Sequence, residues 1–353
     1  MTAEIKRIVV CGLGNVGKDF IQLVGDRKEL IETKYNLTLK IVAIAEIGGV
    51  AVVKDNDSLP IMRILEHLED GGKVETFEIY GQKGVKVKDL LESIEADALI
   101  ETTPTNLEDG EPAKTHIMTA LKNGMDVISA NKGPLVLFYK ELNDYAKEKG
   151  KKIYMSAATA AALPTLDVGI ISTAGAKVTS FEGILNGTTN YILSRMHKDQ
   201  CSYEEALKEA QKLGIAESNP KLDVEGYDTS NKIVLIANKV FDESLSIKDV
   251  ERKGITEITF DDIAKAKNDN KVIKLVGTGR MENCRCTLRC APKALEMDHP
   301  LSAINYSEKA ISFITDTMGR ITVSGGKSSP RGAAAALLKD IIHSALFSLK
   351  QLL

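Results

Sequence analysis

A short β-branched run, a glycine turn and a helical pattern follow one another in the segment IKRIVVCGLGNVGKDFIQLV at the start of the chain. The glycines have the spacing GxGxxG, a weak signal alone but a strong one between a strand and a helix. Gly12 permits a tight turn, Gly14 lets the backbone approach a pyrophosphate, and Gly17 allows close strand–helix packing. The segment therefore predicts dinucleotide binding, with a purely structural turn as the alternative. The residues predicted to contact the dinucleotide are Gly12, Leu13, Gly14, Asn15, Val16 and Gly17.

The second predicted strand, LKIVAIAEI, bears on the choice of dinucleotide. It ends at Glu46, where a first βαβ unit presents a residue to the adenosine ribose. An acid at this place slightly favours NAD. Lys54, a little further on, could instead neutralise the 2′-phosphate of NADP, so both cofactors stay open.

Strand and helix patterns alternate up to about residue 150, which predicts an open parallel sheet. Two of the strands end in polar clusters, at residues 102–106 and 130–134. Ligands of such sheets bind outside the carboxyl ends of the strands, so both clusters should lie beside the nicotinamide. Lys132 is the one cation among them, and an ordinary solvated lysine is the alternative. The other expected cofactor contacts are Thr102, Thr103 and Pro104.

Beyond residue 150 the pattern changes to one typical of an α+β domain, and the segment AESNPKLDVEGYDTSNK at 216–232 concentrates charge. A helix is expected from about Val224, which places Asp228 and Lys232 on one face as an i, i+4 pair. Burial lowers and nearby carboxylates raise the pKa of a lysine, so Lys232 is expected to exchange a proton near neutrality. A surface salt bridge is the alternative.

Length and composition limit the class of protein. A chain of 353 residues exceeds one usual hydrophobic core, and a net charge of -3 gives no footprint for nucleic acid or an anionic membrane. No secretory signal or membrane span is visible, and five cysteines suit a reducing compartment, so a cytoplasmic protein with a small-molecule partner is expected. The cysteines of CRCTLRC are interpreted as part of an ordinary strand rather than a metal cluster.

Two further motifs carry a family resemblance. NGTTNYIL at 186–193 and a long motif from Ala210 to Lys232, together with the glycine turn, resemble homoserine dehydrogenase over nearly the whole chain. The resemblance implies an α/β fold with a Rossmann-type NAD(P)-binding domain at 1–150 and an α+β substrate-binding and dimerisation domain at 151–318. It also implies a C-terminal segment at 319–353 that returns to the first domain, and a homodimer.

The resemblance further implies a reaction and a site. The reaction is the reversible reduction of L-aspartate 4-semialdehyde to L-homoserine by NAD(P)H. Lys232 would exchange the substrate's hydroxyl proton, Asp228 would be the catalytic carboxylate, and Lys132 would lie near the reacting oxygen and the nicotinamide. Glu217 would bind the α-amino group and Asp223 would support the lysine. The remaining implied contacts are Asn186, Gly187 and Thr188 with substrate, and Gly325 and Gly326 with cofactor.

The chain also departs from the family. Ser156 stands where a glutamate is usual, and alanines stand at 160–162 in place of glycines. Because this segment supplies a monovalent cation site in relatives, the departure makes a bound cation doubtful. The polar loop SGGKSSPRG suggests a different closure over the cofactor. The chain is also expected to be a short form without a kinase or C-terminal regulatory domain, and so without threonine inhibition through one.

Two other functions remain as alternatives. One is an NAD(P)-binding regulatory protein that has lost catalysis, against which the intact Lys132, Asp228 and Lys232 argue. The other is a phosphorylating semialdehyde dehydrogenase, which needs a thiolate nucleophile and a base. None of the cysteines lies on a visible nucleophile turn, and His197 and His343 have no evident cysteine partner in sequence.

Overall fold

Two compact units make up the protein. The computed structural model describes residues 3–54, 57–326 and 328–349. The first unit comprises the chain up to Ala158 together with the segment from Ser329 onward, and the second runs from Thr159 to Ser328. The boundaries between these compact units lie at 158/159 and 328/329, whereas the boundaries expected from the sequence are at 150/151 and 318/319. The later boundary differs because residues 320–324 form a strand of the second unit's sheet.

The first unit is built on a twisted sheet that, within the described chain, has seven strands in the order β4-β3-β2-β1-β5-β6-β7. These strands are β1 (Glu4–Cys11), β2 (Leu37–Glu46), β3 (Gly49–Val52), β4 (Gly81–Lys83), β5 (Ala98–Glu101), β6 (Asp126–Ser129) and β7 (Ile153–Tyr154). β1 has parallel partners on both sides, β2 and β5, so the strand order reverses at β1. The crevice at such a reversal is where open parallel sheets bind ligands.

Helices connect these strands, as the 3.6-residue periodicity of the intervening segments predicts. They are α1 (Asn15–Asp26), α2 (Lys28–Tyr35), α3 (Ile61–Glu69), α4 (Val87–Ser93), α5 (Ala113–Lys122), α6 (Lys132–Leu137), α7 (Tyr139–Glu148) and α8 (Ser156–Ala160), with a 3₁₀ turn at Val74–Thr76. β1 is buried without a break from Ile8 to Cys11 because the sheet is covered on both faces.

The second unit is a six-stranded mixed sheet, counted over the residues described, in the order β13-β12-β8-β10-β11-β9. Its strands are β8 (Val178–Ile184), β9 (Val250–Arg252), β10 (Lys271–Glu282), β11 (Arg285–Glu296), β12 (Ala310–Thr315) and β13 (Arg320–Ser324). Its helices are α9 (Gly187–Asp199), α10 (Tyr203–Lys212), α11 (Lys221–Val224), α12 (Tyr227–Val240) and α13 (Phe260–Asn268), with a π-helical turn at Asp167–Ser172 and a 3₁₀ turn at Ile247–Asp249.

A long hairpin forms the middle of the second sheet. β10 and β11 pair antiparallel over twelve residues each. Asn283 and Cys284 join them, and both have positive φ angles, 49° and 60°, as a two-residue hairpin turn of type I′ requires. The segment CRCTLRC therefore places Cys284 in the turn and Cys286 and Cys290 in β11.

The chain ends, within the described residues, in helix α14 (Pro330–Leu349), which belongs to the first unit. Its buried Leu337 and Ile341 lie in one hydrophobic core with Phe20 and Ile21 of α1 and with Ile8 of β1. This packing supports the helix that follows the glycine turn. No helix in the described ranges has the length and apolarity that a membrane span needs.

Candidate functional site

The glycine turn between β1 and α1 leaves no room for side chains at two of its glycines. Gly12 has a φ of +90°, and a Cβ there would lie 2.8 Å from backbone atoms of Thr102 and Thr103. A Cβ at Gly17 would lie 2.0 Å from the Gly12 carbonyl oxygen. At Gly14, by contrast, nothing lies within 4 Å of such a Cβ. Protein packing thus requires the first and third glycines, whereas the second borders open space.

The open space at Gly14 lies at the N-terminus of a helix. Gly14 is the N-cap of α1, and no side chain caps the first N–H groups of that helix. Uncapped N–H groups and the positive end of the helix dipole favour an anion, such as a pyrophosphate, at this position. Asn15 and Val16 form the first turn of α1, so the predicted contact residues are contiguous on this surface.

Glu46 is the last residue of β2, and its carboxylate is fixed beside the glycine turn. Its Oε1 atom accepts a hydrogen bond from the Leu13 backbone N–H at 3.0 Å. A carboxylate held at the end of the second strand can accept hydrogen bonds from a ribose diol and repels a 2′-phosphate. Lys54, which could instead neutralise the 2′-phosphate of NADP, is exposed.

The loop after β5 is held by a buried carboxylate. Glu101 is fully buried, and its Oε1 accepts hydrogen bonds from the Thr103 backbone N–H at 2.8 Å and from the Thr103 hydroxyl. Its other oxygen lies 2.9 Å from Nδ1 of His116, which is also buried. Thr102 donates from its hydroxyl to the Gly12 carbonyl at 2.7 Å. The polar strand end therefore contacts the glycine turn directly.

Asn131 joins this loop to the one after β6. Its side-chain N–H₂ group donates to the Thr103 carbonyl at 3.0 Å and to the Pro104 carbonyl at 3.1 Å. Its oxygen accepts from the Gly133 N–H at 3.0 Å and so caps α6. Lys132, the first residue of α6, is half-buried beside this network. The two polar clusters predicted from sequence thus form one hydrogen-bonded surface in the first unit.

Asp228 and Lys232 form an ion pair in the second unit. Lys232 Nζ donates to Asp228 Oδ2 at 2.5 Å and to the Leu185 carbonyl at 2.8 Å. Their side chains are only 16% and 13% exposed, which sets the pair apart from a solvated surface bridge. The helix does not start near Val224 as expected, because Gly226, with a φ of +83°, separates α11 from α12. Asp228 and Lys232 both lie on α12.

Asn186 connects this pair to a second carboxylate. Its Nδ2 atom donates to Asp223 Oδ1 at 2.6 Å and to Asp228 Oδ2 at 2.9 Å. Its Oδ1 accepts from the Thr189 N–H at 2.9 Å, so the same side chain caps α9. Burial first, and then the charge of Asp228, raise the pKa of Asp223. One amide thus holds two carboxylates from different helices beside the Lys232 ammonium.

The remaining sequence-predicted substrate residues fall into two groups. Gly187 and Thr188 open α9 next to Asn186, and the Thr188 hydroxyl donates to the Ile215 carbonyl at 3.0 Å. Glu217 is exposed in the loop between α10 and α11, and its backbone carbonyl accepts a hydrogen bond from the Gln211 side chain at 3.2 Å. The structure therefore gathers Asn186, Gly187, Thr188 and Asp223 around the ion pair but leaves the Glu217 carboxylate outside these contacts.

Gly325 and Gly326 lie in the second unit after β13, with φ angles of 110° and 71°. A Cβ at Gly326 would lie 2.6 Å from the Leu163 nitrogen, so this backbone packs closely on the segment after α8. The Gly325 N–H donates to the Lys309 carbonyl at 2.9 Å. Lys327, within the polar loop noted in the sequence, lies outside the described residues.

Lys309 was not predicted from the sequence as a site residue. It is 2% exposed just before β12, and its Nζ donates to the Ala160 carbonyl at 2.5 Å. Burial, followed by the Lys232 charge, lowers the pKa of Lys309 to about 7, which Asp228 partly offsets. The one sequence signal was a lysine immediately before the apolar run AISFI, a position where a strand begins and a charge is costly.

Comparisons with known proteins agree on one family. A sequence profile described as "Homoserine dehydrogenase, NAD binding domain" matches residues 12–156, and one described as "Homoserine dehydrogenase" matches residues 164–342. A homoserine dehydrogenase from Methanocaldococcus jannaschii is 38% identical, over 95% of this chain and 97% of the relative. An NAD(+)-dependent homoserine dehydrogenase from Pseudomonas canavaninivorans is 34% identical, over 96% and 95%.

The fold comparison gives the same result. The fold is similar to the crystal structure of homoserine dehydrogenase from Thermoplasma acidophilum, with a TM-score of 0.81. The match covers 97% of this chain and 99% of that chain, at 26% sequence identity. The predicted fold class, an α/β protein with a Rossmann-type nucleotide-binding domain and a second domain of mixed sheet and helices that the sequence analysis described as α+β, is thereby confirmed.

These comparisons favour neither alternative function. The chemistry of four of the five cysteines also opposes a phosphorylating dehydrogenase, which attacks with a thiolate. Burial raises the pKa of Cys11 and Cys201, and raises those of Cys286 and Cys290 to about 11. A raised pKa keeps these thiols protonated and unreactive at neutral pH.

Proposed function

Since the chain belongs to the homoserine dehydrogenase family, whose members are NAD(P)-dependent oxidoreductases acting on a CH–OH group, we propose that Asp228 and Lys232 move the proton of its reaction. The reaction is the reversible reduction of L-aspartate 4-semialdehyde to L-homoserine, a step of amino-acid biosynthesis. The single observation that carries the proposal is the largely buried contact between Lys232 and Asp228, held from two sides by Asn186 and Leu185.

A nicotinamide cofactor, when bound, would supply or accept the hydride. During reduction, negative charge develops on the aldehyde oxygen, and the Lys232 ammonium stabilises that oxygen and donates a proton to it. Asp228 holds the ammonium in place, while the Leu185 carbonyl accepts a second N–H. These two acceptors fix two of the three ammonium protons, which leaves one for the substrate. In the reverse direction, neutral Lys232 takes the hydroxyl proton.

The substrate is an amino acid, so its ammonium needs an anionic partner. We assign this role to the carboxylate of Glu217, whose exposed loop position leaves it available, with Asp223 as the inner carboxylate that supports Lys232. The backbone at Gly187 and the Thr188 hydroxyl open α9, where the positive helix end suits the substrate's α-carboxylate.

The nucleotide is assigned to the first unit. The family and the NAD-binding profile support NAD. We propose that NADH is preferred over NADPH because the Glu46 carboxylate is fixed by Leu13 where the 2′-phosphate of NADP would carry negative charge. Gly12 to Gly17 would hold the pyrophosphate, and Thr102, Thr103, Pro104 and Lys132 would lie along the nicotinamide half. Gly325 and Gly326 are proposed as a further cofactor contact.

The residues around Ser156 do not fit the monovalent cation that the family implies. The Ser156 hydroxyl donates to Asp340 Oδ1 at 2.8 Å, and the Ser156 N–H donates to Asp340 Oδ2 at 3.0 Å. Lys339 Nζ lies 2.9 Å from Asp340 Oδ1, so the lysine already neutralises the charge of the Asp340 carboxylate. In the second unit the Ala160 carbonyl accepts the Lys309 ammonium. We therefore propose that the enzyme works without a bound sodium-type ion.

We also propose that the protein forms a homodimer and is located in the cytoplasm. Within the described chain β13 is an edge strand with one side unpaired, which offers a surface for a second copy. The five cysteines are all free, which agrees with a reducing compartment.

Initial rates with aspartate semialdehyde test the function and the cofactor together. We expect semialdehyde-dependent oxidation of NADH, with kcat/KM for NADH at least about tenfold above that for NADPH because of the repulsion at Glu46. Oxidation of neither nucleotide would refute the assignment of the reaction. A preference for NADPH would refute the assignment of Glu46 alone.

A further inference from the structure

Glu101 is a buried carboxylate to which the proposed reaction gives no direct role. It is the last residue of β5 and is fully shielded from solvent, where a carboxylate without partners is strongly unfavourable. Within the described chain three donors face its two oxygens. Oε1 accepts from the Thr103 N–H at 2.8 Å and from the Thr103 hydroxyl, and Oε2 lies 2.9 Å from His116 Nδ1. An apolar side chain would serve packing equally well, so the carboxylate needs another explanation.

His116 holds the carboxylate from the side opposite to the loop. It lies on α5 and is 5% exposed. A carboxylate oxygen can only accept, so Nδ1 of His116 donates this hydrogen bond. The contact fixes the rotation of the Glu101 side chain and therefore the direction in which Oε1 points. One carboxylate thus joins a helix to the end of a strand.

The other oxygen of Glu101 fixes the backbone of the loop after β5. Both of its hydrogen bonds come from Thr103, two residues along the chain. The Thr103 hydroxyl also accepts from Asn131 Nδ2 at 3.2 Å, and the Thr103 carbonyl accepts from the same atom at 3.0 Å. Thr103 is therefore held at its N–H, its hydroxyl and its carbonyl. A ligand that contacts a loop fixed in this way does not have to order it first.

The same loop determines where α6 begins. The Asn131 side chain that reaches the loop also caps α6, by accepting from the Gly133 N–H at 3.0 Å. A Cβ at Gly133 would lie 2.1 Å from the Asn106 carbonyl oxygen, so the first turn of α6 packs directly on the loop. Lys132 is the first residue of that turn. The hydrogen bonds of Glu101 therefore support the whole surface that is assigned to the nicotinamide half of the cofactor.

The surface assigned to the adenosine half is held by other groups. The glycine turn at 12–17 depends on close backbone packing, and the Glu46 carboxylate accepts from the Leu13 N–H at 3.0 Å. In the part of the chain that the structure describes, no hydrogen bond joins the side chains of Glu101 or His116 to these groups. The two halves of the nucleotide site can therefore be disturbed separately.

We propose that Glu101 and His116 are positioning residues for the nicotinamide half of the cofactor. Both act through Thr103 and Asn131, and neither contacts the cofactor itself. This inference rests on the proposed function.

The test compares the affinities of wild type and Glu101→Gln for NADH and for ADP. ADP carries the adenosine and the pyrophosphate but neither the nicotinamide nor its ribose. Glutamine presents an N–H₂ group where a carboxylate oxygen accepted, so a donor faces a donor on one side of the network. We expect the dissociation constant for NADH to rise about tenfold and that for ADP to stay within about twofold. Isothermal titration calorimetry measures both.

Two substitutions at His116 examine the donor itself. His116→Leu removes it and should weaken NADH binding as much as Glu101→Gln does. His116→Asn places an amide N–H₂ group near the position of Nδ1, so the dissociation constant for NADH should return to within about threefold of the wild-type value. Equal losses in the two variants would refute the role of the donor. If Glu101→Gln does not fold, this pair of variants decides the question.

A matched control lies at the other end of the same strand. Asp97 directly precedes β5, and its Oδ2 accepts from the Arg7 N–H at 2.7 Å and from Arg7 Nε at 3.2 Å. Ligands of an open parallel sheet bind at the carboxyl ends of its strands, and Asp97 lies at the amino end. Asp97→Asn should therefore melt at a lower temperature and keep the wild-type affinities for NADH and ADP.

Unchanged affinity for NADH in folded Glu101→Gln and His116→Leu proteins would overturn the inference. Parallel losses of NADH and ADP binding would overturn it as well, because they would indicate distortion of the whole nucleotide site. Wild-type protein that binds neither NADH nor ADP would instead refute the proposed nucleotide site on which the inference rests.

Discussion

The glycine turn of the first unit consists of backbone groups, whereas the charged cluster of the second unit consists of side chains. The turn is a contiguous stretch, residues 12–17, and works through its backbone and one helix end. The cluster consists of side chains that come from separate places in the chain, Asn186, Asp223, Asp228 and Lys232. Binding a nucleotide needs space and N–H groups, whereas moving a proton needs a carboxylate and an amine that other residues hold in place. The two tasks should therefore be separable by mutation.

The largest effect is expected for Lys232→Met, which removes the proposed proton donor and preserves its volume. Turnover of semialdehyde should fall by about two to four orders of magnitude, because general acid catalysis and the stabilising charge are lost together. Steady-state kinetics at saturating NADH measures the loss. Lys239→Met, on the same helix but away from the ion pair, is the control and should retain most activity. Near-normal turnover of Lys232→Met would assign the proton to another group, with Lys132 next.

Gly14→Val examines the other side of the comparison. The protein itself has open space at Gly14, and its φ of -64° suits any residue, so the variant should fold and melt normally. A bulky side chain there blocks a pyrophosphate, so the NADH dissociation constant should rise about a hundredfold. Fluorescence titration measures it. Gly25→Val in the same helix is the control and should bind NADH normally; equal binding by both variants would place the nucleotide elsewhere.

Asn186→Ala should have a smaller effect on the charged cluster. It removes the amide that holds Asp223 and Asp228, so kcat should fall about ten- to a hundredfold while NADH binding is kept. It also removes an N-cap, which costs about 1 kcal/mol of stability. Ser202→Ala removes the N-cap of α10 without touching the cluster and separates these two effects. If both variants lose activity equally, helix stability rather than carboxylate placement explains the loss.

The smallest effect concerns the acid stability of the second unit. His197 of α9 accepts a hydrogen bond from the Ile273 N–H at 2.8 Å, and burial, with Lys274 and Lys267, lowers its pKa to about 4. The unfolded chain binds this proton near pH 6.5, so between pH 6.5 and 4 the unfolded state holds more protons and stability falls as pH is lowered.

The loss should reach at most about 3 kcal/mol near pH 4. His197→Gln keeps an acceptor without the proton, so its unfolding free energy should depend less on pH over this window. Urea unfolding at pH 7 and pH 5 measures the difference between the two proteins. An identical pH dependence would show that His197 is not the responsible group.

The same contrast explains what the sequence could reveal. GxGxxG and the strand and helix patterns that flank it are local, so together they located the turn between β1 and α1. The contact between Asp228 and Lys232 was also predictable, because side chains at i and i+4 are neighbours on the surface of a helix. The break at Gly226 was not predicted, since a glycine inside a helical pattern is often tolerated and only the φ of +83° shows that it ends one helix and starts another.

Contacts between distant segments could not be predicted from the residues alone. Lys309 contacts Ala160 across the unit's fold, and its proximity to Lys232 depends on the register of β12 with β8. The family resemblance implied that the segment from residue 319 returns to the first domain, whereas residues 320–324 form β13 of the second sheet. The pattern RITVS predicts a strand but does not show which sheet it joins. The order of strands in a sheet depends on contacts between segments that are distant in sequence, which the periodicity of a single segment does not encode.

The most direct test of the division between the two units is the affinity of Lys232→Met for NADH, measured by fluorescence titration on the same sample that gives its turnover. The account predicts a dissociation constant within about twofold of wild type beside a turnover reduced at least about a hundredfold. A dissociation constant that rises in parallel with the loss of turnover would contradict it, because Lys232 would then serve nucleotide binding rather than proton transfer.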